Sequence, residues 1–137
     1  MSTLRKANWP YIISYPVMTV VGSIATMSGA MLLLFPSVAL SESSLGIFLP
    51  PVWEVAWPAI HTIGGVSLVI GVITRRPSFE AAGCVLLTST FACQCLAVLA
   101  IRGFETGFIA GITLGSLALG LAVRAYMLVW ASKRAIR

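Results

Sequence analysis

The chain has 137 residues, of which 58% are hydrophobic and only 9% are charged, and its mean hydropathy is +0.98. A soluble domain keeps roughly a quarter of its residues charged, so this composition excludes a soluble domain. It predicts a single membrane domain over residues 1–137, with the lipid bilayer as its main partner. The net charge of +5 does not indicate a nucleic-acid partner, because Lys and Arg lie in short clusters between apolar runs, without a basic patch interleaved with aromatic residues.

The first apolar run predicts a membrane span over residues 11–35, closed by Pro36. Arg5 and Lys6 precede it, as they would in a signal peptide. The run is longer than a signal sequence uses, however, and no A-x-A cleavage site follows it. We therefore expect a retained first span.

A long link over residues 36–57 follows, and we expect it on the outer side of the membrane. It holds the polar residues 41–44, the apolar residues 45–49, and Pro50 with Pro51. Its apolar part is too short to cross a hydrocarbon core of roughly 30 Å. The link is therefore predicted to lie in the interface or to enter the bilayer as a re-entrant segment.

Three further spans are predicted over residues 58–74, 79–101 and 106–131. Pro58 suits the first turn of the second span. This span is the shortest of the four, and it either recruits residues 54–57 or lies nearly upright in the membrane. The links at residues 75–78 and 102–105 are tight, and short links make consecutive helices antiparallel neighbours. The predicted fold is an all-α integral membrane four-helix bundle with antiparallel spans.

Basic residues predict the orientation of the bundle. Arg5 and Lys6, Arg75 and Arg76, and the tail with Lys133, Arg134 and Arg137 all fall on one side of a four-span protein, whereas the other side holds Arg102. The positive-inside rule then predicts both termini in the cytoplasm and a location in the cell membrane. Aromatic residues agree with this topology, with Trp9, Tyr11, Tyr126 and Trp130 at the inner interface and Trp53 and Trp57 at the outer one.

Small residues predict where the helices touch. Gly107, Gly111 and Gly115 recur every four residues in the fourth span and form a glycine zipper, along which another helix can approach closely. That helix belongs either to the same chain or to a second copy, which would make the protein a homo-oligomer. Gly64 and Gly65 offer a second small face in span two.

Two uncharged polar residues lie within the predicted spans. His61 is in span two and Gln94 in span three, at similar depth from the outer side if these spans are antiparallel neighbours. We expect a hydrogen bond between them. The alternatives for His61 are a proton-linked role, since its ordinary pKa is near neutrality, and contact with interfacial water.

Charged residues in and beside the spans receive mostly local interpretations. Arg124 lies inside the fourth span, where its long side chain is expected to reach the inner headgroups; a buried partner or a pore-lining role is the alternative. Glu54, Glu80 and Glu105 lie at or just before the starts of helices two, three and four, where a carboxylate interacts favourably with the helix dipole.

No enzymatic or metal-binding pattern is present in the sequence. Cys84, Cys93 and Cys95 lie in one apolar run, where an odd number of cysteines in one helix does not form a disulfide framework. Residues two apart on a helix face different directions, so Cys93 and Cys95 do not form a metal-binding pair. We expect no catalytic residues, no metal and no cofactor.

Residues 60–87, IHTIGGVSLVIGVITRRPSFEAAGCVLL, resemble small four-span membrane proteins of actinobacterial phages. The resemblance covers about the last eighty residues and rests on Gly64-Gly65, the Arg75-Arg76-Pro77 turn, Glu80, and Arg124 ahead of the basic tail. Some members of that group are called holins. A weaker resemblance, carried by the "GG…L..G..TR" pattern of span two, is to DoxX-like proteins, although the charged residue usual in their first span is missing here.

The first resemblance implies a holin-like, self-associating protein that permeabilises the cytoplasmic membrane during phage lysis and releases an endolysin. The second implies a non-lytic membrane protein. Such a protein would act as a subunit, an exclusion factor, or an anchor for a membrane-protein partner.

Overall fold

The computed structural model describes residues 9–35 and 52–135, and within them the side chains of residues 16–35, 52, 55–105 and 107–131. The described chain is helical apart from its turns. We number the helices α1 (Trp9–Leu34), α2 (Val52–Thr74), α3 (residues 77–102) and α4 (residues 104–135); α3 and α4 form one helical run, Pro77–Ala135, broken at Gly103. The prediction for the link over residues 36–57 falls mostly outside the described residues.

In the part of the chain that the structure describes, four helical segments are long and apolar enough to cross a membrane: Pro16–Leu34, Val55–Thr74, Pro77–Glu105 and Gly107–Ala131. The expectation of an all-helical chain with four membrane-span-like helices is confirmed. Helix α2 begins at Val52, so it includes residues 54–57, as in the first alternative for span two, and Pro58 lies inside the helix. Proline has no backbone N–H to donate to the carbonyl oxygen four residues earlier. Its own carbonyl oxygen accepts from the Thr62 hydroxyl at 2.8 Å.

Helix α2 packs against α1 on one side and against α3 on the other. On the α1 side, a Cβ added to Gly65 would lie 2.6 Å from the Gly22 carbonyl oxygen. On the α3 side, a Cβ added to Gly71 would overlap the backbone of Glu80, and one added to Gly83 would overlap the backbone of Leu68. Glycine is required at these positions because the helix backbones are in direct contact.

A hydrogen-bonded cap closes α2. The Arg76 N–H donates to the Gly71 carbonyl oxygen at 3.0 Å and the Arg75 N–H donates to that of Val72 at 3.3 Å, which is the Schellman pattern. Arg75 occupies the left-handed position of this motif with φ 54°. Pro77 then begins α3, at the first helical position that proline favours.

The break between α3 and α4 depends on Gly103, whose φ of 68° and ψ of 176° lie outside the helical region. A side chain would be strained at this φ, although a Cβ there would meet no atom within 4 Å. The tight link expected at residues 102–105 is therefore made by one residue.

The core lies where all four helices contribute side chains. Its members include Ala25 of α1, Leu68 of α2, Leu87 of α3 and Leu121 of α4. Large apolar side chains also cover the outside of the bundle, as on α1, where Val17, Val20, Ile24, Met27, Met31 and Leu34 are exposed. An apolar exterior is the surface that lipid solvates.

Candidate functional site

The described residues contain a buried ion pair between α3 and α4. Nε and Nη2 of Arg124 lie 2.8 Å and 2.7 Å from the same carboxylate oxygen, Oε1 of Glu80. The Glu80 side chain is completely buried and that of Arg124 is 13% exposed. Leaving one charge of such a pair without its partner costs about 3–5 kcal/mol in proteins. The pair therefore fixes how α4 is rotated against α3.

This pair changes two interpretations made from the sequence. Arg124 contacts a carboxylate of α3, so its expected role of reaching the inner headgroups is replaced by the alternative, a buried partner. Glu80 does lie in the first turn of its helix, as a helix-dipole interaction requires, but it is buried against α2 and bound to Arg124. Gly71 creates this burial, because it lets the α2 backbone lie directly on the backbone of Glu80.

Two further polar side chains of α3 face α4 along the same interface. The Thr88 hydroxyl donates to the Cys84 carbonyl oxygen of its own helix at 2.7 Å and lies 3.4 Å from the Ala118 carbonyl oxygen. Cys95 Sγ lies 3.1 Å from the Gly111 carbonyl oxygen. Thr88 is eight residues after Glu80, and Cys95 is seven after Thr88. At 3.6 residues per turn the three side chains therefore lie within about 80° of one another around the helix. We refer to these three residues and their α4 partners as the polar ladder.

His61 binds Thr90 rather than Gln94. Its Nδ1 lies 3.0 Å from Thr90 Oγ1, both residues are buried, and the imidazole ring meets Phe91 edge-to-face with centroids 5.2 Å apart. Thr90 Oγ1 also lies 3.0 Å from the Leu87 carbonyl oxygen. One arrangement satisfies both contacts: the hydroxyl donates to the carbonyl and accepts from Nδ1–H. Gln94 is half-buried one turn further along α3.

The three glycines of the predicted zipper face α3 of the same chain. Added Cβ atoms would lie 3.0 Å from the Val98 carbonyl oxygen at Gly107, 2.8 Å from Leu99 Cδ2 at Gly111, and 3.5 Å from Cys95 Sγ at Gly115. Gly64 and Gly65 are also occupied within the chain, Gly64 against Leu87 of α3 and Gly65 against Gly22 of α1. These contacts are those of the first alternative, a partner helix in the same chain.

An apolar groove runs along the surface between α3 and α4, beside the glycines. It has a volume of about 330 Å³, and its lining includes Leu99, Phe104, Phe108, Ile112, Ser116 and Leu119. The groove lies near the end of the bundle where α3 passes into α4.

The cysteines occupy three environments. All are free thiols, with Cys84 buried, Cys93 exposed and Cys95 half-buried in the polar ladder. Among the described residues, no group of three or more His, Cys, Asp or Glu side chains is placed to hold a metal ion. The polar side chains of the interior bind groups on neighbouring helices, and these bonds determine which faces of the helices pack together.

No protein-family model, curated protein or solved structure matches this chain. Its four apolar helices are compatible with a polytopic membrane protein. Further assignment depends on the polar ladder, the glycine contacts and the groove.

Proposed function

We propose that the chain is a non-enzymatic protein of the cytoplasmic membrane, with four antiparallel spans and both termini in the cytoplasm. Paired contacts support the antiparallel arrangement. Along α2 and α3, the contacts join Gly71 with Glu80, Leu68 with Gly83, Gly64 with Leu87, and His61 with Thr90. Along α3 and α4, they join Glu80 with Arg124, Thr88 with Ala118, and Cys95 with Gly111. In both series the residue number rises along one helix as it falls along the other, which is the pattern of contacts between antiparallel helices.

The orientation is supported by charges at one end of the bundle. Arg75 and Arg76 are exposed in the turn between α2 and α3, five and four residues before Glu80. Arg124 pairs with Glu80, so the exposed Tyr126 and Trp130 that follow it lie towards this same end. Basic residues and amphipathic aromatics mark the cytoplasmic interface of membrane proteins.

Reporter fusions test the topology. A fusion after Arg76 or after Arg137 is expected to report the cytoplasm, and one within residues 41–44 the exterior. A cytoplasmic signal from residues 41–44 would contradict the four-span arrangement.

The function we propose is holin-like: copies accumulate in the bilayer, associate, and open a lesion that releases an endolysin. The resemblance to four-span phage proteins motivates this function, and the groove between α3 and α4 is the observation that carries it. Its lining is mostly apolar and open to the surface, so a helix of a second copy can pack into it, although the Cβ positions of Gly111 and Gly115 face α3 of the same chain. Helices associate in lipid through such packing.

Induced expression in a bacterium tests this function. An abrupt stop in growth and a collapse of the membrane potential are expected. Ser116→Leu would place a larger side chain in the groove and should delay both events and reduce crosslinked oligomers. Thr113→Leu is the matched control, because Thr113 is also exposed on α4 but does not line the groove.

A non-lytic role is the second candidate, in the form of a DoxX-like subunit, an exclusion factor or an anchor for a membrane-protein partner. It is favoured by the glycines, because Gly22, Gly29, Gly64 and Gly65 already contact other helices of the chain. A bundle packed in this way does not need a second copy to fold. Wild-type protein that reaches the membrane, stays monomeric and never dissipates the potential would exclude the holin-like function and leave this one.

A further inference from the structure

The turn between α2 and α3 presents two exposed arginines side by side. Arg75 and Arg76 are both exposed, and within the described residues neither forms an ion pair. The nearest acid along the chain, Glu80, is bound to Arg124. Two positive charges are therefore uncompensated at this point of the described surface.

The backbone holds these arginines in a fixed turn. The cap of α2 is closed by the bonds from Arg76 to Gly71 and from Arg75 to Val72. The left-handed conformation of Arg75, with φ 54°, is one that glycine adopts at much lower cost. An arginine at this position adds a guanidinium group where the turn alone would favour glycine.

Aromatic side chains locate the turn at the depth of the lipid headgroups. Phe79 is partly exposed at the start of α3, and on α4 Tyr126 is 70% and Trp130 47% exposed. Tyr126 and Trp130 follow Arg124, the partner of Glu80, and therefore lie near the level of the turn. Amphipathic aromatic rings of membrane proteins gather at the headgroup level.

We propose that Arg75 and Arg76 form a binding site for the headgroup of an anionic phospholipid. A guanidinium group donates two parallel hydrogen bonds to phosphate oxygens. Two such groups in a fixed turn complement the negative charge of a phosphatidylglycerol-type headgroup, while the lipid's acyl chains lie against Phe79 and the apolar exterior. This site requires membrane insertion only, and it is independent of whether the protein permeabilises the membrane.

Native mass spectrometry of the full chain tests the site, with protein released from nanodiscs of equal phosphatidylglycerol and phosphatidylcholine. Wild-type protein is expected to retain phosphatidylglycerol in preference to phosphatidylcholine. Near a membrane surface each basic residue contributes roughly a fivefold preference for anionic lipid, so Arg75→Gly and Arg76→Gln should each lower retention about fivefold. Arg102, at the other tight link, is a single arginine with an interaction of its own in the structure, so Arg102→Gln should lower retention less than either of these.

Arg75→Gly separates binding from folding, because glycine suits the φ of this position and preserves the cap. Its thermal unfolding should match that of wild type, and Arg75→Asn, a second residue tolerated in this conformation, should show the same loss of lipid. Equal retention of the two lipids by wild type would overturn the proposal, and so would unchanged retention by the variant that combines Arg75→Gly with Arg76→Gln. Displacement of the lipid by excess inorganic phosphate would also overturn it, since that result indicates a site for free phosphate.

Discussion

Glu80 and Arg124 are 44 residues apart in sequence, yet two nitrogens of Arg124 lie within hydrogen-bonding distance of one oxygen of Glu80. The contact depends on α2 as well, because Gly71 brings the α2 backbone onto Glu80 and excludes everything else from that side. Three helices thus meet at one carboxylate. An apolar core alone would tolerate many rotations of α4 about its axis, whereas this ion pair requires one of them. Variants of the pair therefore test whether α4 packs in this one orientation.

Removing one charge of the pair should destabilise the bundle. Arg124→Gln removes the opposite charge from the fully buried Glu80 and is expected to cost about 3–5 kcal/mol. Glu80→Gln should cost less, because the long Arg124 side chain can extend towards the headgroups. The double variant should be more stable than Arg124→Gln alone. Unfolding in detergent measures all three, and an Arg124→Gln protein as stable as wild type would show that the pair does not form.

Adding a methyl group at Gly71 should separate α2 from α3. The new Cβ of Gly71→Ala would overlap the Glu80 backbone, and overpacking of this kind typically costs 1–3 kcal/mol. Gly120→Ala is the matched control, since a Cβ there meets no atom within 4 Å and alanine favours helix. The prediction fails if the two variants lose the same stability, measured by unfolding in the same detergent.

The buried contact between His61 and Thr90 predicts that substitutions of two neighbouring polar residues of α3, Thr90 and Gln94, affect stability differently. Thr90→Val removes the hydroxyl that binds Nδ1. It should cost about 0.6 kcal/mol and at most about 1.7 kcal/mol, the mean and the maximum for polar contacts between membrane helices. Gln94→Leu, one turn away, should cost little. A double-mutant cycle with His61→Leu measures the coupling, which should be present for Thr90 and near zero for Gln94; the reverse pattern would restore the His61–Gln94 pair expected from the sequence.

The cysteines should differ in their reactivity towards thiol reagents of different solubility. A membrane-impermeant reagent is expected to label none of them in intact cells, because all three lie within the apolar segment Pro77–Glu105. A lipid-soluble maleimide should label the exposed Cys93 well before the buried Cys84. Mass spectrometry of the digested protein identifies the site. Strong labelling of Cys93 or Cys95 by the impermeant reagent would instead indicate a water-filled cavity that reaches α3.

The sequence was sufficient to predict the helices and insufficient to predict their rotation. Length and apolarity alone define a span, so the four spans could be located closely, apart from the start of α2. The interior pairs depend on how each helix turns about its axis. From the sequence, we expected His61 of α2 to bind Gln94 of α3. In the structure it binds Thr90, which lies four residues earlier on the same helix.

A buried partner for Arg124 was only the alternative interpretation, and Glu80 was not named as that partner, because each residue had a sufficient local explanation. A signal for it was present: an ionisable residue inside a span usually has a partner, and both residues lie near the same predicted end of the bundle. For a related reason, the glycine spacing in span four left open whether the partner helix belongs to the same chain or to a second copy. Regular spacing predicts that a helix approaches closely, but it does not reveal whether that helix belongs to the same chain.

Packing of α4 against α3 of the same chain is the basis of both the polar ladder and the groove, and one crosslink tests it. A Cβ at residue 115 would lie 3.5 Å from Cys95 Sγ, which is close to the geometry of a disulfide. Gly115→Cys, with Cys84 and Cys93 replaced by alanine, should therefore form a disulfide with Cys95 on mild oxidation. Gly120→Cys in the same background is the control and should not.

Trypsin makes the crosslink visible, because it cleaves after Arg102, between the two cysteines. The disulfide should hold the two peptides together without reductant, and the undigested protein should run as a monomer on a denaturing gel. A disulfide-linked dimer, or two separate peptides with free thiols, would contradict packing of α4 against α3 within one chain.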